Sequence, residues 1–222
     1  MLFYSKRNNS HNHHTGNGVS THSGEIRCPD MLALITFSEG AAVLSPFVGA
    51  FDSKFVKAVK ELPDAARRGG MTNMTAGLRA ANDMISRMPR GLRKRIWCLS
   101  DGGANAEVEG LWREVNRAVS QWTNINTIGF GNRGEFDEDL LKRIAAATHN
   151  GRYFEATTVT ALGQAFRRGS GHPRPNGHRG EATVFVIDAS ASMTDAMEGS
   201  TRIEVVRNAM NDLVRWKQAN WS

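Results

Sequence analysis

Asp188, Ser190 and Ser192 place three small oxygen-bearing side chains at alternate positions, directly after the apolar run Thr183-Val-Phe-Val-Ile187. A carboxylate and two hydroxyls are hard donors, better matched to Mg²⁺ or Mn²⁺ than to zinc or copper. The preceding run, mostly β-branched or aromatic, suits a strand buried on both faces. Open α/β sheets gather their ligands where such strands end. Serine and aspartate also cap helices and stabilise turns, and a helix follows here. On their own, the three residues therefore leave a capping role and a metal site both open.

Two further segments carry oxygens of the same kind. Thr72 closes the stretch Arg67-Arg-Gly-Gly-Met-Thr72, whose glycine pair indicates a tight turn or a close backbone approach. Asp101 follows the apolar run Ile96-Trp-Cys-Leu99, in Ser100-Asp-Gly-Gly103. Three hydroxyls (Ser190, Ser192, Thr72) can coordinate a cation directly without neutralising it, and two aspartates (Asp188, Asp101) can hold it through waters. An ion left that electron-poor favours a carboxylate from another molecule as its remaining ligand. That is the logic of a docking site, completed by a partner's Asp or Glu.

The elements that must position these residues alternate along the chain. Met31-Leu-Ala-Leu-Ile-Thr-Phe37 reads as a buried strand and Ala41–Leu44 as a short returning one. Asp52 caps a helix with Phe55, Val59 and Leu62 inward, and Met74, Leu78, Ala81, Ile85 and Met88 stripe the next. Strands at 95–100, 125–130 and 152–155 alternate with helices marked by Val108 to Trp122, Phe136 to Ala147, and 158–168. Strand 183–188 and a helix at 201–219 complete the set. This alternation predicts a doubly wound α/β fold, with a mainly parallel sheet and helices on both faces.

Composition narrows the function classes. The chain has 222 residues, 40% hydrophobic, which suits one domain spanning 31–222. Residues 1–30 read as a disordered polar tail, where His11, His13, His14 and His22 lack the Cys or acidic company of a dedicated metal site. Residues 169–180 have linker composition. Cys28 and Cys98 are too few for a disulfide scaffold, and no stretch predicts a membrane span or a signal peptide. A cytoplasmic setting is expected. The net charge of +6 is spread among acidic residues, and the basic run 87–95 has no aromatics interleaved for stacking bases. Nucleic acid is therefore not the expected partner.

The combination resembles the von Willebrand factor type A domain, the fold of integrin I domains. The resemblance rests on Val186-Ile-Asp-Ala-Ser-Ala-Ser192 for the family's D-x-S-x-S, on Gly69-Gly-Met-Thr72, and on Leu99-Ser-Asp-Gly-Gly103. Ala33–Ser38, Ile128–Gly131 and Leu140–Phe154 also look like family segments, so the likeness covers about 31–168 and 181–222. It implies a Rossmann-like fold with a metal-ion-dependent adhesion site (MIDAS). Ser190, Ser192 and Thr72 would be hydroxyl ligands of Mg²⁺ or Mn²⁺, with Asp188 and Asp101 as supporting carboxylates. By the same likeness the chain would be a non-enzymatic protein-binding module, with bacterial relatives that work beside ATPases or assembly factors.

One departure stands out. The family's first βα unit lies last here, so the chain looks circularly permuted, and half-copies of two tandem domains are the competing origin. A permuted domain puts strand 183–188 between 31–37 and 95–100. Tandem halves predict exchange of 181–222 between molecules. Two other functions remain. A phosphatase or hydrolase using Asp188 or Ser190 would lack both the second aspartate, replaced by Ser190, and a neighbouring histidine. An RNA-associated module would rest on charge alone.

Overall fold

The computed structural model describes residues 30–49, 52–103, 108–169 and 180–221. The histidine-bearing tail, Cys28 and most of the 169–180 linker lie outside them.

β6 (Glu181–Asp188) occupies the middle of a six-stranded sheet of order β2-β1-β6-β3-β4-β5. The others are β1 (Met31–Phe37), β2 (Ala41–Gly49), β3 (Arg93–Ser100), β4 (Thr123–Phe130) and β5 (Tyr153–Ala156). Only β2 runs antiparallel, returning beside β1 at the edge. β6 pairs in parallel with β1 on one side, Phe37 opposite Asp188, and with β3 on the other, Leu99 opposite Ile187. Its placement follows from its side chains. Val184, Phe185, Val186 and Ile187 are all buried, each worth roughly 1.5–3 kcal/mol, and a strand apolar on both sides needs neighbours on both edges for its backbone groups.

Alternate residues of the strands feed two cores. Leu32, Leu34, Trp97, Leu99, Phe185 and Ile187 face α1 (Ser53–Lys60), α2 (Leu62–Ala66), α6 (Val159–Gly169) and α7 (Arg202–Trp221). Ala33, Ile35, Ile96, Cys98, Val184 and Val186 face α3 (Met74–Ser86), α4 (Val108–Ser120) and α5 (Glu138–Ala147). The fold is therefore α/β, doubly wound and mainly parallel. Phe55 and Phe166 pack against Phe185 through tilted and edge-on ring contacts, and Trp97 meets Phe166 edge-on in turn, with centroids 5.7–6.0 Å apart.

Local chemistry adjusts several boundaries. The helix opened by Asp52, whose side chain accepts the N–H of Lys54 at 2.8 Å, stops at Lys60, and a second short helix begins at Leu62 with Pro63 in its first turn. β2 extends five residues past Leu44, to Gly49, because register shifts against β1 let it continue through Pro46. A 3-10 turn, Ala191–Thr194, and a two-residue hairpin, β7 (Ala196–Met197) with β8 (Ser200–Thr201), separate β6 from α7 and were not anticipated.

Candidate metal centre

At the carboxyl edge of the sheet, where β6 ends, the chain turns over its neighbours. The Ala189 N–H donates to the Phe37 carbonyl at 2.8 Å, extending the β1 pairing one residue beyond the strand. Asp188 is fully buried. Its Oδ1 accepts the Ser190 N–H at 2.9 Å and its Oδ2 accepts the Ser100 hydroxyl at 2.7 Å. Burial nevertheless pushes this carboxyl up to about 6, helped by the charge of Asp101 and opposed by those hydrogen bonds.

The loop before α3 reaches the same place. Gly69 lies so close to the β6 loop that a Cβ there would sit 1.7 Å from the Ala189 carbonyl oxygen. The Ala191 N–H donates to the Gly70 carbonyl at 3.3 Å. Asn73 fixes the far end of the loop. Its side chain caps α3 by accepting the Ala76 N–H at 3.0 Å, and its amide donates to the Glu39 carbonyl at 2.9 Å. Thr72, held between these anchors, is buried, and its hydroxyl lies 3.8 Å from where a Gly102 Cβ would be.

Asp101 comes from the end of β3. Its Oδ1 accepts the Ser192 hydroxyl at 2.8 Å, and the Ser192 and Ser190 hydroxyl oxygens are 3.1 Å apart. The structure thus brings together Asp188, Ser190, Ser192 and Asp101 through direct hydrogen bonds, with Thr72 beside Gly102.

Two residues that sequence reasoning missed complete the group. Ser100 was visible as the hydroxyl before Asp101, but its partner, Asp188, was not. Arg202 is buried at the start of α7 and donates from Nη1 to Asp101 Oδ2 at 2.8 Å, and from Nη2 to Glu135. Its N–H donates to the Asp195 carbonyl at 3.0 Å. Two residues on, Glu204 accepts the Ser200 hydroxyl at 2.8 Å and the Thr201 N–H at 3.1 Å, which hold its carboxyl down at about 2. A cation in the first turn of a helix opposes the helix dipole, and that was the available signal that Arg202 answers to something else. Burial opposes its charge, but the Asp101 hydrogen bond and the carboxylates of Asp101, Glu135 and Asp195 outweigh it and hold the guanidinium ionised. Burial likewise pushes the Asp101 carboxyl up, against hydrogen bonds from Arg202 and Ser192.

The donor set fits a small hard cation. Ligands at adjacent corners of an Mg²⁺ octahedron, each about 2.1 Å from the ion, lie about 3 Å apart. The Ser190 and Ser192 oxygens already have that spacing, at 3.1 Å. Ser192 gives its proton to Asp101 and so accepts from Ser190, which leaves it one lone pair for a cation. Among the described residues, no three His, Cys, Asp or Glu side chains cluster as a metal site.

Against known proteins, the model of the von Willebrand factor type A domain matches residues 27–168. No curated protein matches. Among solved structures, a von Willebrand factor type A protein from Catenulispora acidiphila aligns with a TM-score of 0.52 and 23% identity, over 63% of this chain and 33% of that one. The chain therefore spans about a third of that protein's length. An uncharacterized membrane spanning protein from Vibrio fischeri aligns at 25% identity over 64% of this chain and 75% of that one, with a TM-score of 0.32. No described helix of the present chain is long and apolar enough to cross a membrane.

Proposed function

The chain belongs to the von Willebrand factor type A family, and from that premise we propose that it is a non-enzymatic docking module whose MIDAS is completed by an acidic residue of a protein partner. Ser190, Ser192 and Thr72 would be the direct ligands of Mg²⁺ or Mn²⁺, with Asp188 and Asp101 behind them. When bound, the ion supplies a Lewis-acidic point on which a partner's carboxylate docks. The observation that carries this reading is the convergence of three hydroxyls and two buried carboxylates at one sheet edge, with the Ser190 and Ser192 oxygens 3.1 Å apart.

The chain's own residues tune that point. Arg202 offsets one of the two aspartate charges through its 2.8 Å hydrogen bond, so the site holds less negative charge than two free carboxylates would. A divalent cation there keeps an unmet demand for anionic oxygen, which an Asp or Glu from outside answers. Hydrolysis is the poorer reading. The Ser190 hydroxyl has the Ser192 hydroxyl 3.1 Å away, and the one described histidine, His149, lines a cleft at the amino end of the sheet instead of standing beside it as a base.

The order of elements supports a circularly permuted member of the family. β6 and α7 come last, outside the matched residues 27–168, yet β6 fills the slot between β1 and β3. A bacterial cytoplasmic setting remains part of the proposal.

The test is calorimetric titration of the chain with MgCl₂ and MnCl₂, followed by capture of partners with and without the ion. One site per chain, lost in Asp188→Ala and Ser190→Ala, is the expected result. Unchanged affinity in both variants removes the site.

A further inference from the structure

We propose that the amino edge of the sheet carries a second binding site, for a nucleotide unit that lays its base on Trp122 and its phosphate among basic side chains. A cleft of about 380 Å³ opens there, within the size range of small-ligand sites. Along β6 it lies roughly 23 Å from Asp188, at about 3.3 Å per residue, so it is separate from the metal centre.

Its electrostatics are one-sided. Arg93, Lys94, Arg95, Arg152 and Arg168 line it, against the single carboxylate of Glu181. That carboxylate is already engaged, by Arg95 at 3.1 Å and by the Thr183 hydroxyl at 2.7 Å. Arg93, Lys94, Arg152 and Arg168 have no ion-pair partner among the described residues. Buried Asn126 adds a neutral donor. Its Oδ1 is taken by the Arg152 N–H at 3.0 Å, while its amide nitrogen makes no hydrogen bond among the described residues.

Cations near helix C-termini complement the helix dipole, and a solvated basic face would explain part of this cluster. It does not explain Trp122. This residue follows the end of α4 with φ +55°, the left-handed conformation that usually falls to glycine and disfavours bulky side chains. It is also 82% exposed, so neither backbone preference nor burial accounts for a tryptophan at this position. A flat aromatic face beside unpaired cations is what a stacked base with an adjoining phosphate requires. The basic run 87–95 lacks aromatics along the chain, and the fold supplies one from the turn before β4.

A labelled single-stranded oligonucleotide, followed by fluorescence anisotropy with the full chain, tests this. Trp122→Ala should weaken binding roughly 5- to 150-fold, the range for loss of one stacked base. Arg152→Glu should weaken it and flatten its salt dependence. Asp188→Ala, and EDTA in place of Mg²⁺, should leave it unchanged, which separates this site from the metal centre. Competition by uridine or adenosine monophosphate identifies the free nucleotide as the source, and binding of the strand alone identifies single-stranded nucleic acid. Either result sustains the site. Absence of binding by both, affinity untouched by Trp122→Ala, or heparin held as tightly as the strand overturns it. Because both substituted side chains are exposed, an unchanged thermal melt should accompany each variant.

Discussion

Arg202 Nη1 lies 2.8 Å from Asp101 Oδ2, and both side chains are buried. The pair joins the first turn of α7 to the end of β3 beneath the hydroxyl cluster. Removing one partner of a buried ion pair leaves the other charged and unpaired, at a cost of about 3–5 kcal/mol. Arg202→Ala should therefore lose about that much stability in urea titrations. Arg202→Lys should recover only part of it, since an ammonium cannot span Asp101 and Glu135 as a guanidinium fork does. Equal stability of Arg202→Ala and the native chain would show the pair to be energetically idle.

Asp188 should make the metal-free protein pH-dependent. Its folded-state carboxyl is raised from the ordinary 3.8 to about 6, so the native state holds its proton more tightly than the unfolded chain does. This group's contribution is then most favourable below about pH 4 and is lost as pH rises through 6. Asp188→Asn should reduce the slope, leaving the share that comes from the raised carboxyl of Asp101. In EDTA at neutral pH it should match or exceed the native stability by about 1–3 kcal/mol, while losing Mg²⁺ binding. Thermal melts across pH 4–7 in both proteins measure the difference. Parallel profiles would remove Asp188 as the source.

Gly69→Ala should damage the centre without touching any proposed ligand. The added methyl meets the Ala189 backbone oxygen rather than a flexible side chain, so one of the two loops must move. A loss of about 1–3 kcal/mol is expected, together with weaker Mg²⁺ affinity by calorimetry. Gly163→Ala is the control, because nothing lies within 4 Å of its Cβ position.

Cys98 should be inert in the native protein. It sits at the centre of β3, fully buried, and burial followed by the charge of Asp188 pushes its thiol well above the ordinary value. In a Cys28→Ser background, iodoacetamide should label the chain only after denaturant is added. Labelling at native rates would mean that β3 opens locally.

The elements of this protein were legible because they are short-range patterns. The apolar run ending at Asp188, the stripes of α3 and α4, and the oxygens at Ser190, Ser192, Thr72 and Asp101 can each be read from a few neighbouring residues. The parallel sheet followed from their alternation, and the central place of β6 from its being apolar on both faces. Relations between distant residues were not legible. Ser100 reaches Asp188 across 88 positions and Arg202 reaches Asp101 across 101, and no local period encodes either distance. Gly69 was readable as a tight place, but only the fold identifies the Ala189 carbonyl as what it must clear. Trp122 and the basic residues of β3 are unremarkable along the chain. They meet because parallel pairing aligns the starts of β3 and β4, with Lys94 opposite Thr123, and carries the preceding turn to the same edge. Side-chain periodicity chose the elements, and backbone pairing across the sheet decided which of their ends would share a site.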